Sequence, residues 1–171
     1  LFRSKNKIMG IFNVFKKKGA TAQTNSTEIA NGNVFSKEEM HQLIGNCNNI
    51  ANMFANSVAL RATGNGRPEK MHQTMLSYKN IFLYYYDEIC GYGKADAFLS
   101  SDETGRYALS KALVFSNPPS FKQCLRQLPA NWHDVLNVFK ALRLSGESNM
   151  VAQHESSINQ LTAAFRKLST Y

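Results

Sequence analysis

Apolar residues recur at three- and four-residue steps along most of this chain, and that period commits it to helices. The clearest run is Met71, Met75, Tyr78, Phe82, Tyr85 and Ile89, which advances by four, three, four, three and four. Such spacing puts all six on one face and makes a heptad-like seam suited to antiparallel packing. Met40, Leu43, Ile44, Cys47, Ile50, Ala51, Phe54 and Val58 keep a similar step. So do Trp132, Val135, Leu136, Phe139 and Leu142, and later Val151, His154, Ile158, Leu161, Phe165 and Leu168. No stretch sustains two-residue alternation with β-branched residues, and no hairpin turn joins two such runs. The pattern predicts an all-α fold: an antiparallel helical bundle of four main helices with short accessory helices and a basic N-terminal arm.

Start and stop signals divide the pattern. Ser36 with Glu39 three residues later predicts a capping box, and Gly64-Asn65-Gly66 ends the helix that follows. Pro68 suits a first helical turn, and Gly91 and Gly93 close the second helix. Lys94 to Leu99 reads as one short turn. Ser101-Asp102-Glu103 opens a third helix, which Asn117-Pro118-Pro119 stops. A short helix is expected from Ser120 to Leu128, broken by Pro129, with a new one beginning near Asn131 and closing at Gly146. Ser148 is the expected cap of a last helix running through Leu168.

At 171 residues the chain accommodates one domain and a tail, and 43% hydrophobic with 19% charged residues is ordinary for a folded protein. Its formal charge of +8 is unevenly placed. Arg3, Lys5, Lys7, Lys16, Lys17 and Lys18 lie in the first twenty positions with no acidic residue, leaving 14 Lys and Arg against 12 Asp and Glu in the other 151. Residues 19–33 are dominated by Ala, Thr, Asn, Ser and Gly, too poor in apolar area to repay ordering. The expected organisation is therefore a basic amphipathic arm over 1–18, a flexible polar linker over 19–35 and a helical domain over 36–171.

Drawn as a helix, the arm places Ile8, Ile11, Phe12 and Phe15 on one side, with Lys5, Lys7, Lys16, Lys17 and Lys18 flanking them. That layout suits an anionic membrane surface, where each lysine contributes on the order of 1 kcal/mol and the two Phe rings insert. Lys5, Lys7, Ile11, Phe12, Phe15, Lys16, Lys17 and Lys18 are the candidate membrane or polyanion contacts. The same charges can instead neutralise nucleic-acid phosphates, with Arg61, Arg67 and Lys70 extending the footprint. A solubilising tail without a ligand is the plainer alternative.

Tyr84, Tyr85 and Tyr86 form the densest aromatic cluster. Three consecutive helical residues span about 200°, so Tyr85 follows the seam while Tyr84 and Tyr86 flank it. An exposed tyrosine offers large area at low entropic cost, which makes Tyr84 and Tyr86 candidate contacts for a protein partner. The bland alternative is a pair of boundary rings packed under neighbouring helices.

Catalytic and metal signatures are absent from the sequence. His41, His72, His133 and His154 lack ligand spacing, no Cys-x-x-Cys or Gly-x-Ser-x-Gly occurs, and the pairs Asp87-Glu88 and Asp102-Glu103 point about 100° apart on a helix. Cys47, Cys90 and Cys124 read as reduced thiols. The longest strongly apolar stretch, Ile81 to Tyr86, is far short of a membrane span, and Asn13 and the lysines interrupt any secretory signal. With Met9 as start, Gly10 lacks the Ser or Thr that acylation favours, because Val14 stands there. The expectation is a non-enzymatic adaptor without cofactor, cytoplasmic and peripheral at the inner membrane face, with a protein partner. Whether its heptad seams pair within one chain or across two is open.

Overall fold

The computed structural model describes residues 34–64, 66–115 and 118–170, and the side chains of 113–122 lie outside that description. The chain is all-helical there, with no strand among the described residues. In order it forms α1 (Lys37–Asn56), α2 (Val58–Ala62), α3 (Arg67–Cys90), a 3-10 turn (Lys94–Phe98), α4 (Ser101–Phe115), α5 (Pro118–Leu142), a wide turn (Arg143–Glu147), α6 (Ser148–Gln153) and α7 (Glu155–Ser169).

The capping box forms as expected: Ser36 Oγ accepts from the Glu39 N–H at 3.1 Å, and the Ser36 N–H donates to Glu39 Oε2 at 2.9 Å. Gly66 and Gly91 flank α3 at φ +67° and +105°, backbone that side chains disfavour, and Gly146 at +89° ends the segment after α5. The first helix breaks earlier than its apolar pattern suggests. Ser57 leaves the helix, its Oγ accepts from the Leu60 N–H at 3.1 Å and donates to Glu147 Oε2 at 2.5 Å, and Glu147 Oε1 accepts from the Val58 N–H at 2.8 Å. A carboxylate from beyond α5 thereby caps α2.

Three boundary expectations are corrected. Pro129 does not break a helix: α5 runs through it. A helical proline costs about 3 kcal/mol, yet Leu125, Leu128 and Trp132 are buried on both sides of it, each contributing about 1.5–3 kcal/mol. Ser148 does not cap a continuous last helix. Glu147 is at the N-cap of α6 with no side-chain cap bond, and the chain kinks at His154 (φ −106°, ψ 7°), whose ring nitrogen lies 3.0 Å from the Met150 carbonyl oxygen. Phe35, placed at the end of the linker, is only 2% exposed and belongs to the core.

Side-chain contacts give the sense of each helix pair. His72 faces the Ala51 carbonyl, Lys79 reaches Asn48, and the Val34 N–H donates to Tyr85 Oη, so numbering rises along α3 as it falls along α1. Asn46 with Ser157 and Glu39 with Lys167 give α1 and α7 the same opposed order. Helix α4 departs from the antiparallel expectation. Lys79 pairs with Glu103 and Asp87 with Lys111, eight residues on in both helices, so α4 runs parallel to α3. Residues 91–100 carry the chain back along α3 by about 20 Å, the length of about thirteen helical residues, with Phe98 packed edge-on against Tyr86.

Aromatic rings link the long helices. Phe54 stacks on Phe139 (5.2 Å between centroids), Phe139 meets Trp132 (6.1 Å), Trp132 meets Phe165 (4.9 Å), Phe165 meets Phe82 (6.0 Å), and Phe82 meets Phe35 (6.0 Å). Tyr78 packs against both Trp132 and Phe165, and its buried hydroxyl has no hydrogen-bond partner among the described residues. An unmet buried hydroxyl costs about 1–3 kcal/mol. Tyr78→Phe is therefore expected to be neutral or to raise stability by about 1 kcal/mol, whereas Phe82→Ala should lower it by about 3–5 kcal/mol. Urea titrations of the two variants check this, and a clear loss of stability in Tyr78→Phe refutes the orphaned hydroxyl.

Candidate functional site

The sequence-predicted contacts Lys5, Lys7, Ile11, Phe12, Phe15, Lys16, Lys17 and Lys18 lie outside the described residues. Tyr84 and Tyr86 lie within them, and the reading of both as exposed partner contacts is corrected. Tyr84 is 1% exposed and Tyr86 7%. The 200° arc is buried because three separate elements cover it. Tyr85 faces the segment leading into α1, where Phe35 lies edge-on at 6.1 Å. Tyr84 faces α4, stacking on Tyr107 at 5.4 Å with its hydroxyl bonded to Ser110. Tyr86 faces the 3-10 turn through Phe98.

Beneath α4 lies a set of buried charges. Asp87 Oδ2 accepts from Lys111 Nζ and, at 3.0 Å, from Tyr107 Oη, while Asp87 Oδ1 accepts from the Ala95 N–H at 2.7 Å. Lys111 also lies over the Tyr92 ring at 4.0 Å, a cation–π contact. Two turns earlier, Lys79 Nζ donates to Glu103 Oε1 at 2.7 Å and lies 3.4 Å from Asn48 Oδ1. Glu103 Oε2 caps its own helix by accepting from the N–H and Oγ of Ser100. Asp87, Lys79 and Lys111 are all buried.

These contacts shift the titration of the groups. Burial by itself raises the Asp87 carboxyl, but hydrogen bonds from Lys111, the Ala95 N–H and Tyr107, with the Lys111 charge, hold it below the usual range. Glu103 follows the same logic: burial raises it, and Lys79 and Ser100 bring it down further. Tyr107 is pushed up by burial and by donating to Asp87. Burial pushes the Cys47 thiol up, only partly offset by Lys79, so it is not a poised thiolate. Cys90 and Cys124 are half-buried and form no disulfide among the described residues.

Three cavities border these elements. The largest, about 720 Å³, lies between the start of α3 and α5 and is lined by Arg67, Lys70, Thr74, Asn131, Asp134 and Asn137 among others. Arg61, expected to extend that cationic footprint, is exposed and donates to the Ala55 carbonyl. Cavities of about 430 Å³ and about 270 Å³ lie along α4 and share Asn48 and Glu103. His41 lines the first and His72 the second, but Glu103 accepts from Lys79 and Ser100, and His72 faces the Ala51 carbonyl. No group of three His, Cys, Asp or Glu suited to a metal occurs among the described residues. No described helix is long and apolar enough to cross a membrane.

The residue order singled out neither Lys79 nor Lys111, and placed Asp87 only in an adjacent carboxylate pair that points apart. A signal existed: Lys79 and Asp87 are eight apart, as are Glu103 and Lys111, so opposite charges align in register when the helices run parallel. Comparison with protein-family models, with curated proteins and with solved structures finds no match.

Stability should follow pH through Asp87 and Glu103. Both folded-state values are depressed, so the stabilisation is complete above the ordinary carboxylate value of about 4. It is lost as pH falls through the lower folded values. Asp87→Asn should cost about 3–5 kcal/mol near neutrality, because it leaves Lys111 buried and unpaired, and should flatten the acid limb. Denaturation midpoints from pH 7 downward check both, and an unchanged acid limb in the variant refutes the assignment.

Proposed function

We propose that this chain is a non-enzymatic helical adaptor whose cationic N-terminal segment tethers it to an anionic membrane surface. The observation that carries the reading is the separation of charge: six basic residues and no acidic one in the first twenty, against near balance elsewhere. A charge excess confined to a terminal segment acts as a tether, and Ile11, Phe12 and Phe15 add apolar anchors that phosphate binding does not need. In this reading α1, α3, α5 and α7 are the antiparallel bundle, a rigid body that presents a surface to a protein partner on the cytoplasmic side. Opposed contacts between α1 and α3 and between α1 and α7 support that arrangement. So does the order of Trp132 with Thr162 and Arg143 with Glu155 for α5 and α7.

Co-sedimentation with vesicles of phosphatidylserine and phosphatidylcholine tests the tether, using the full chain and a chain lacking residues 1–18. The full chain should pellet and lose binding as salt rises, and the truncated chain should stay in solution. Equal binding by the two overturns the reading.

A specific observation favours one alternative, a nucleic-acid-binding accessory protein. Arg67 and Lys70 line the cavity of about 720 Å³ together with Asn131 and Asn137, although Asp134 opposes them. In that case a gel shift with duplex DNA or single-stranded RNA appears at low ionic strength and weakens log-linearly with salt. Arg67→Ala with Lys70→Ala would then weaken it at every sequence tested. The absence of a shift at low salt ends this alternative.

A further inference from the structure

Over residues 101–112, helix α4 is attached differently from the helices that form the core. Over Ser101 to Ala112 only Tyr107 and Lys111 are buried, and Leu109 is 72% exposed. By contrast α1 buries Met40, Leu43, Ile44, Cys47, Ile50 and Phe54 on a continuous apolar face. The described contacts of α4 with α3 are chiefly polar: Glu103 to Lys79, Tyr107 and Lys111 to Asp87, and Ser110 to Tyr84, with one ring stack between Tyr84 and Tyr107. Polar contacts of this kind exchange with water or with an equivalent partner at little net cost, whereas an apolar face does not.

In the Lys79 to Glu103 pair, Lys79 is buried while the Glu103 side chain stays 29% exposed. The cavities of about 430 Å³ and about 270 Å³ share Glu103 and Asn48, and Lys79 lines the larger of them. Another carboxylate can therefore approach Lys79 without disturbing the apolar core. Lys79, Tyr84 and Asp87 together present cation, aromatic ring and anion along two turns of α3. Their complement is an acid, an aromatic ring and a base at four-residue spacing, which α4 supplies as Glu103, Tyr107 and Lys111.

We propose that α4 is a displaceable cover, and that the α3 face beneath it is a docking surface for a partner helix bearing the same order of acid, aromatic and base. The acid takes Lys79 from Glu103, the base takes Asp87 from Lys111, and the ring stacks on Tyr84. This rests on the adaptor reading and names the chemistry its protein partner offers. Tyr84 then becomes a partner contact after all, once α4 is displaced.

Hydrogen exchange read by mass spectrometry on the full chain tests the cover, and a labelled synthetic peptide spanning residues 100–115 tests the face. In Glu103→Gln, amides of residues 103–112 should exchange faster by on the order of tenfold while those of α1 keep their protection, the mark of local opening. The peptide should bind Glu103→Gln more tightly than the parent chain, because the variant's own α4 competes less well. A peptide carrying Glu103→Gln and Lys111→Gln should bind neither. In the parent chain, excess unmodified peptide should speed exchange of the resident α4, a measurement that needs no variant to fold. Exchange of α4 in step with α1 under every condition, or no binding of the peptide to Glu103→Gln, overturns the proposal. These readouts involve neither a membrane nor residues 1–18, so loss of the tether in the vesicle experiment leaves them unaffected, and their failure leaves the tether standing.

Discussion

The fold depends on a connected run of aromatic rings that begins on α1 and ends just ahead of it. Phe54 near one end of that helix contacts Phe139 of α5, and the contacts pass through Trp132, Phe165 of α7 and Phe82 of α3 to Phe35 just ahead of the other end. Each large ring removes much apolar area from water, and edge-on or offset contacts add roughly 0.5–1.5 kcal/mol per pair. Because the run touches four helices, none of them satisfies its apolar face alone. It also accounts for two irregularities. Pro129 is tolerated because Trp132 and its neighbours are held on either side of the proline, and Phe35 is drawn out of a polar segment into the core.

Helix α4 obeys a different rule. Its direction and register relative to α3 are set by two ion pairs eight residues apart, with Asp87 meeting both Lys111 and Tyr107. Buried pairs contribute less to net stability than their Coulomb attraction suggests, since each ion loses its hydration, but breaking one is costly because it strands the other. Such contacts specify an arrangement strongly while contributing modestly to holding it. A helix fixed by apolar burial is specified loosely and held firmly, and the molecule contains both kinds.

The charge distribution is uneven along the chain. Net positive charge concentrated in the first twenty residues leaves the helical part close to neutral, so the buried charges of α3 and α4 act through local pairing and not through a global field. In the proposed function, attraction to a polyanion and recognition of a partner would depend on separate stretches of the sequence. Within the fold, Tyr84, Tyr85 and Tyr86 each face a different neighbour.

Helical class, the capping box at Ser36, the span of α3 and the glycine stops at Gly91 and Gly146 were legible from residue order alone. They are local: they depend on 3.6-residue periodicity, on a side chain reaching its own helix terminus, and on backbone conformations that only glycine adopts freely. The continuation through Pro129, the kink at His154, the capping of α2 by Glu147 and the burial of Tyr84 and Tyr86 were not, because each is decided by residues distant in sequence. For the candidate site the division is the same. Periodicity places Lys79 and Asp87 beside the α3 seam and Glu103 and Lys111 on one side of α4, but whether the four charges meet depends on α4 running parallel to α3. Only the path of residues 91–100 through space decides that, since a helix reads its own face from sequence and its neighbour's direction from packing.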